Sequence, residues 1–309
     1  MISEDKIKYS ALRTPLIIMG IFWIIAIVLW RTTGGVFYLF NFGYIGTTIF
    51  IGAGFHSALP KKKKEWGRRL TQLLIGVYML AFLGLIKFEN MQVEGFFFYL
   101  LAGFIAGSVL HYIIAKIVGP FIFNHAWCGW CCWTAMILDF LPYKRNKKGR
   151  LSTKWGNLRY IHFALSLALV LTLWFAFDYR VQSGSTTELY WLIGGNALYY
   201  VIAIPLAFIL QDNRAFCKYV CPIPAVLKIP SRFAMLKIAG DIDKCNDCGA
   251  CDKICPMDIR ITDYIKNGQR VLSTECILCD IYVNVCPKGA LNLNWGFDCG
   301  KRELLNKRV

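Results

Sequence analysis

CNDCGACDKICP, residues 245–256, sets Cys245, Cys248, Cys251 and Cys255 at intervals of three, three and four, with Pro256 directly behind them. Thiolates at this C-x2-C-x2-C-x3-C-P spacing wrap a loop around one corner of an iron-sulfur cluster. Three sulfurs reach three irons, and the proline turns the chain so that the fourth cysteine reaches a second cluster. A zinc site is expected to use two separated CxxC pairs instead.

A second copy follows about 30 residues on, at Cys276, Cys279 and Cys286-Pro287. Crossed ligation assigns Cys245, Cys248, Cys251 and Cys286 to one four-iron cluster, and Cys255, Cys276 and Cys279 to another. The position where the second copy needs its third cysteine holds Tyr282. Three thiolates leave a three-iron cluster, a four-iron cluster with one labile iron, or rescue by another side chain, for which Cys299 is the nearest thiol. The repeat predicts a small α+β two-cluster module of the bacterial ferredoxin kind over 240–295, with a basic tail over 296–309. Short strands ending near Arg260 and Val271, either side of KNGQ, are expected to form a hairpin. No GxGxxG or GxxxxGK[ST] motif is present to bind a nucleotide.

Outward from this module the chain changes character. Of 309 residues, 56% are hydrophobic, and the mean hydropathy is +0.46, which belongs to the membrane class. Apolar blocks over 15–30, 37–54, 70–86, 96–118, 157–177 and 190–210 predict an α-helical integral membrane domain of about six transmembrane helices within 1–239. Asn41, Gly43, Gly46 and Thr47 dilute the second block. Lys61 to Lys64, Arg68 and Arg69 follow span two, and Lys144, Arg145, Lys147, Lys148 and Arg150 follow span four. Since cytoplasmic loops carry the excess of Lys and Arg, both termini and the cluster module are expected in the cytoplasm, with the chain multi-pass in the inner cell membrane. The net charge of +16 does not come from the module, whose segment 241–295 has eight acidic and six basic residues. Topology and attraction to anionic lipid account for it, and nucleic acid is excluded as a partner.

Two further cysteine groups follow spans four and six: HAWCGWCCW, with Cys128, Cys131 and Cys132, and FCKYVCP, with Cys217 and Cys221. Matching CxxxC pairs at equivalent edges offer four thiolates, Cys128, Cys132, Cys217 and Cys221, for a third cluster or a redox-active thiol set. The competing reading is that they are small apolar packing residues. Trp127, Trp130 and Trp133 read as an interfacial aromatic belt.

Over roughly 96–300 the chain resembles the NapH/NosR-type membrane-bound 4Fe-4S proteins, whose members combine membrane spans, two CxxxCP motifs at the membrane edge and a C-terminal two-cluster module. It departs from them at Trp133, where a proline is expected after Cys132, and at Tyr282. The resemblance implies electron transfer coupled to a quinone pool or a membrane partner, with a ferredoxin- or flavodoxin-like protein or reductase subunits as redox partners. His111 and His162, inside the predicted spans, are the quinone-site candidates. The expected role is that of an electron-transfer subunit rather than a stand-alone enzyme. The alternatives are a copper-type metal reductase or maturation factor, with the odd thiols Cys131 and Cys299 on the metal, and a redox-sensing regulator.

Overall fold

The computed structural model describes residues 12–60, 63–104, 107–143, 149–182, 184–298 and 300–304. Among the described residues, five helices are long and apolar enough to cross a bilayer: Pro15–Thr33 within α1 (Arg13–Thr33), α2 (Val36–Ala58), α3 (Lys64–Val77, extended by a π-helical stretch to Ile86), Lys154–Ala176 and Thr186–Leu210. The fourth of these is a short first turn, α9 (Thr153–Gly156), running into α10 (Leu158–Ala176), and the fifth is α11. The weak second span is a full helix because its diluting residues are packing and bonding groups. A Cβ at Gly46 would sit 2.5 Å from Phe22 of α1, and one at Gly52 would sit 1.6 Å from Thr71 of α3. Asn41 accepts a 2.6 Å bond from the Tyr78 hydroxyl, and Thr47 one of 3.1 Å from Trp23. Small residues at helix contacts and interhelical polar bonds are what hold helices together in lipid.

The predicted span over 96–118 is not one helix. Its chain forms α4 (Val93–Leu101), a break, and then α5 (Ser108–Tyr112), which continues through a π-helical stretch, Ile113–Val118, into α6 (Gly119–Phe123). The break falls between Gly103 at φ 75° and Gly107 at φ 52°. Gly107 at φ 52° takes a backbone conformation that residues with a side chain rarely adopt, which favours glycine there. The two legs pack on each other, with the Phe96 and Tyr112 rings stacked 4.6 Å apart.

Beyond the spans lie four short helices, α7 (Ala126–Trp130), α8 (Trp133–Leu138), α12 (Ala215–Tyr219) and α13 (Ile223–Arg232). The module follows. β1 (Leu236–Gly240) pairs antiparallel with β2 (Leu291–Trp295), Leu236 opposite Trp295, and α14 (Ala250–Ile254), α15 (Ile261–Lys266) and α16 (Ile281–Val285) lie between them. β1 thus begins ahead of residue 240. The hairpin expected around KNGQ is absent from the described residues, because that segment is helical. Ile261, Tyr264 and Ile265 recur at helical spacing and are all buried. Asn267-Gly268 closes the helix rather than a hairpin: the Gly268 N–H reaches Ile265 O, and the Gln269 N–H reaches Tyr264 O, in a Schellman-like stop.

Candidate iron-sulfur sites

The two cysteine motifs of the module are one structural unit used twice. Asp247 and Leu278, Gly249 and Asp280, and Asp258 and Gly289 all take positive φ, each pair 31 residues apart. Three of these non-glycine residues are aspartates, and such conformations are uncommon outside loops that have to curl tightly. In each copy a one-turn helix, α14 or α16, ends on a cysteine in extended conformation, Cys255 or Cys286. Each of those sulfurs then accepts a backbone N–H, from Ile259 at 3.4 Å and from Ala290 at 3.3 Å. Amides aimed at sulfur stabilise a thiolate ligand and tune a cluster's potential.

Cys255 comes from the first copy, yet its thiol neighbours are Cys276 and Cys279 of the second. Cys251, Cys255, Cys276, Cys279 and Tyr282 line one apolar cavity. Burial pushes the Cys255 thiol up to about 12 and raises those of Cys276 and Cys279. Protons would therefore stay on these sulfurs until a metal displaced them. Cys248 is exposed, and Cys245 and Cys286 are half-buried. Tyr282 occupies in α16 the place that Cys251 holds in α14. It is 3% exposed. Cys299 lies outside the described residues.

The second copy makes several bonds to the membrane domain, and Asp258 of the first copy makes another. The Asn124 amide donates to Ser273 O (3.1 Å), the His125 N–H to Cys276 O (3.2 Å) and the Trp130 indole to Leu278 O (2.9 Å). His56, at the end of α2, sits 2.9 Å from the Asp280 carboxylate. Arg150 and Arg159 both bond Glu275, which they hold well below the usual carboxylate range against the opposing effect of burial. Lys218 of α12 bridges Asp212 and Asp258, 2.5 Å from each.

Cys128, Cys132, Cys217 and Cys221 line a single cavity with Tyr112, Lys116 and Tyr199 among its other walls. Two segments far apart in sequence meet there because Asp139, after α8, takes both Arg68 (2.8 Å) and Arg214 (2.6 Å). These guanidiniums also donate to the carbonyls of Gly129 and Cys128, at 2.7 and 2.8 Å. Burial opposes ionisation of Asp139, but the two arginines outweigh it and hold the carboxyl at about 2. Burial pushes the thiol of Cys217 up to about 11 and that of Cys128 up to about 12, and raises Cys221 well above the ordinary thiol value. Cys131 is apart from this set, packed against an apolar cluster with Ile75 and Met136.

Among the described residues, no three His, Cys, Asp or Glu side chains close on one point as a single metal ion requires. The thiols instead stand around cavities, which fits a cluster whose ligands sit on different irons. The tryptophans do not form a lipid-facing belt. Trp133 is buried and donates to Asn196, Trp130 caps the module, and Trp127 lies under the Lys116 ammonium.

The two histidines part company. His162 donates through Nδ1 to Val220 O and lines a pocket of about 440 Å³ with Gln92, Glu94, Tyr179, Trp191 and Tyr199. His111 is not in that wall but packs on Trp127, ring centroids 4.8 Å apart. Gln92 and Glu94 line this pocket and were not among the residues singled out from the sequence. Both lie in the polar stretch between the apolar blocks 70–86 and 96–118, so no intramembrane polar signal marked them.

Spans of this length, joined to a doubled cluster-binding loop, define a membrane-bound iron-sulfur electron-transfer protein. A family model described as a 4Fe-4S binding domain matches residues 105–152 and 194–238, the two segments that carry the membrane-edge cysteines. The uncharacterized protein MJ0749 of Methanocaldococcus jannaschii is 31% identical over 238 residues, covering 74% of this chain and 86% of that protein. The methylamine utilization ferredoxin-type protein MauN of Methylorubrum extorquens is 26% identical over 258 residues (74% and 88%), and the ferredoxin-type protein NapH of Escherichia coli 24% over 216 (64% and 70%). No solved structure matches. The chain belongs to the NapH-type family of membrane-bound ferredoxin-type proteins.

Proposed function

We propose that the protein conducts single electrons between a quinone-type carrier in the bilayer and a redox partner that docks at the cluster module, in either direction. Cys128, Cys132, Cys217 and Cys221 would hold a cluster at the membrane edge. Cys255, Cys276 and Cys279 would hold a three-iron cluster with Tyr282 in place of the fourth ligand, and Cys245, Cys248, Cys251 and Cys286 a four-iron cluster. A bound cluster takes up and releases one electron at a time, at a potential set by its charge, hydrogen bonds and exposure.

The observation that carries this reading is a pair of shared walls. Gln92 and Tyr199 line both the four-thiol cavity and the 440 Å³ pocket that contains His162 and Glu94. A carrier bound in that pocket would be separated from the thiols by two side chains. His162 donates through Nδ1 to a carbonyl, so its Nε2 is the nitrogen left to exchange a proton with a carrier oxygen. Glu94 accepts the Ser166 hydroxyl on one oxygen at 2.6 Å and has the other unpartnered. Past the thiols, the second copy's cysteines come next, and the exposed Cys248 of the first copy faces solvent, where a soluble partner has access. Arg68, Arg159, Arg214 and Lys218 all contact the module or its seam, so the basic loops are on its side of the membrane, which we assign to the cytoplasm.

The test is anaerobic purification, iron and sulfide analysis, and potentiometric EPR with and without a quinol. Reduction of the module clusters by quinol in the parent protein, lost in Cys132→Ser with the module clusters still assembled, is the expected result. Equal iron content and equal reduction in both proteins would leave the membrane-edge cysteines as packing residues.

A further inference from the structure

The wall of the four-thiol cavity contains a buried cation with no anion to match it. Lys116, in the π-helical stretch between α5 and α6, is 3% exposed. No carboxylate among the described residues lies within ion-pair distance of its Nζ, which rests over the Trp127 ring, 4.6 Å from the centroid. Its charge neighbours are Cys128, Cys132, Cys221 and Cys131. The other buried cations at this edge, Arg68, Arg159, Arg214 and Lys218, each have an acidic partner. A buried charge without a partner costs several kcal/mol, on the order of the desolvation penalty of one ion, so an unpaired ammonium is retained only where something compensates it.

We infer that Lys116 is the countercharge of an anionic group held by the four membrane-edge thiols, and that it sets the potential of that centre. The inference rests on the reading that Cys128, Cys132, Cys217 and Cys221 bind an iron-sulfur cluster. Four thiolates give such a cluster net negative charge, and each added electron makes it more negative. A fixed ammonium in the same dry cavity therefore favours the reduced form and raises the midpoint potential. The local π-helical winding carries this purpose too. It shifts the side chains of Ile113–Val118 from ordinary helical register, the kind of irregularity that recurs at functional sites. Lys116 is a positioning and tuning residue here, since nothing requires it to bond iron.

The experiment uses the full chain in detergent under anaerobic conditions. The EPR signal lost in Cys221→Ser identifies the membrane-edge centre, and its midpoint is then measured in Lys116→Met and Lys116→Arg. Lys116→Met is expected to keep the iron content and lower the midpoint, so that at fixed ambient potential the reduced-to-oxidised ratio falls at least tenfold, about 59 mV for one electron. Lys116→Arg keeps the charge and should stay within a few-fold of the parent. If Lys116→Met retains the signal at the parental midpoint, the inference is wrong and the cluster reading stands. If no signal or iron is lost in Cys221→Ser, the cluster reading itself fails. Should Lys116→Met lose the centre, Lys116→Arg decides: a loaded centre at the parental midpoint supports the charge role, and loss in both variants overturns it in favour of shape.

Discussion

The module and the membrane edge both gather cysteines around a cavity, but they do it by opposite routes. In the module each loop curls through local backbone conformations, repeated 31 residues apart from Asp247 to Gly289, and the ligands of a motif are at most a few residues from one another. At the membrane edge the two CxxxC pairs come from different helical layers and are held together by one buried carboxylate, Asp139, between two arginines. A site of the first kind is as robust as its turns. A site of the second kind is as robust as its buried ion pairs, whose loss leaves uncompensated charge.

That difference is open to attack at Asp139, where the largest effect is expected. Asp139→Ala strands Arg68 and Arg214 and should destabilise the membrane-edge assembly by about 3–5 kcal/mol, the usual cost of removing one partner from a buried pair. The check is iron content and thermal unfolding: membrane-edge iron should fall while the module's own iron, measured by its separate EPR signals, is retained. Joint loss of all iron would show that the two regions do not stand independently.

Cys221→Ser is next, and narrower. It should remove the membrane-edge centre alone, leaving module iron unchanged and melting behaviour close to the parent, because the thiol is replaced by a group of similar size. A third variant sharpens the comparison inside the module. Tyr282→Cys restores the ligand that the second copy lacks and should add about one iron per chain, replacing the signal of an oxidised three-iron centre with that of a four-iron one. Parent protein that already contains two stable four-iron centres in the module would contradict this assignment.

The smallest effect is that of pH. The folded carboxyl of Asp139 is held at about 2, below an unfolded aspartate at about 3.9. Its contribution to stability is therefore complete above about pH 4 and is lost only as pH falls toward 2. Membrane-edge iron should be flat across neutral pH and should decline only in that acid window. A decline centred near pH 6 would point to a different group.

Much of the module was legible because its information is local. The spacing of Cys245 to Cys255 and its echo at Cys276 to Cys286 mark a loop geometry that the structure repeats in both copies. What was misread was also local, but ambiguous. KNGQ reads equally as a hairpin turn or a helix stop, and the buried period of Ile261, Tyr264 and Ile265 decided for the helix. The block over 96–118 was apolar enough for a span, and only the structure shows that the helix ends at Leu101 and resumes at Ser108, with Gly103 and Gly107 at positive φ. The tryptophans after Asn124 were indistinguishable from a lipid-facing belt, since an indole satisfied by Asn196 or by Leu278 O has the same sequence signature as one at an interface.

The sequence alone determined that this is a membrane-bound chain with a doubled iron-sulfur motif, because apolar length and cysteine spacing are properties of contiguous segments. The tertiary structure decided that four distant thiols share a cavity with Lys116, and that Gln92 and Tyr199 divide that cavity from the pocket that contains His162. Those relations depend on buried charges finding partners across 60 to 80 residues of chain, Arg68 and Arg214 with Asp139 above all, and no local pattern encodes a pairing at that range.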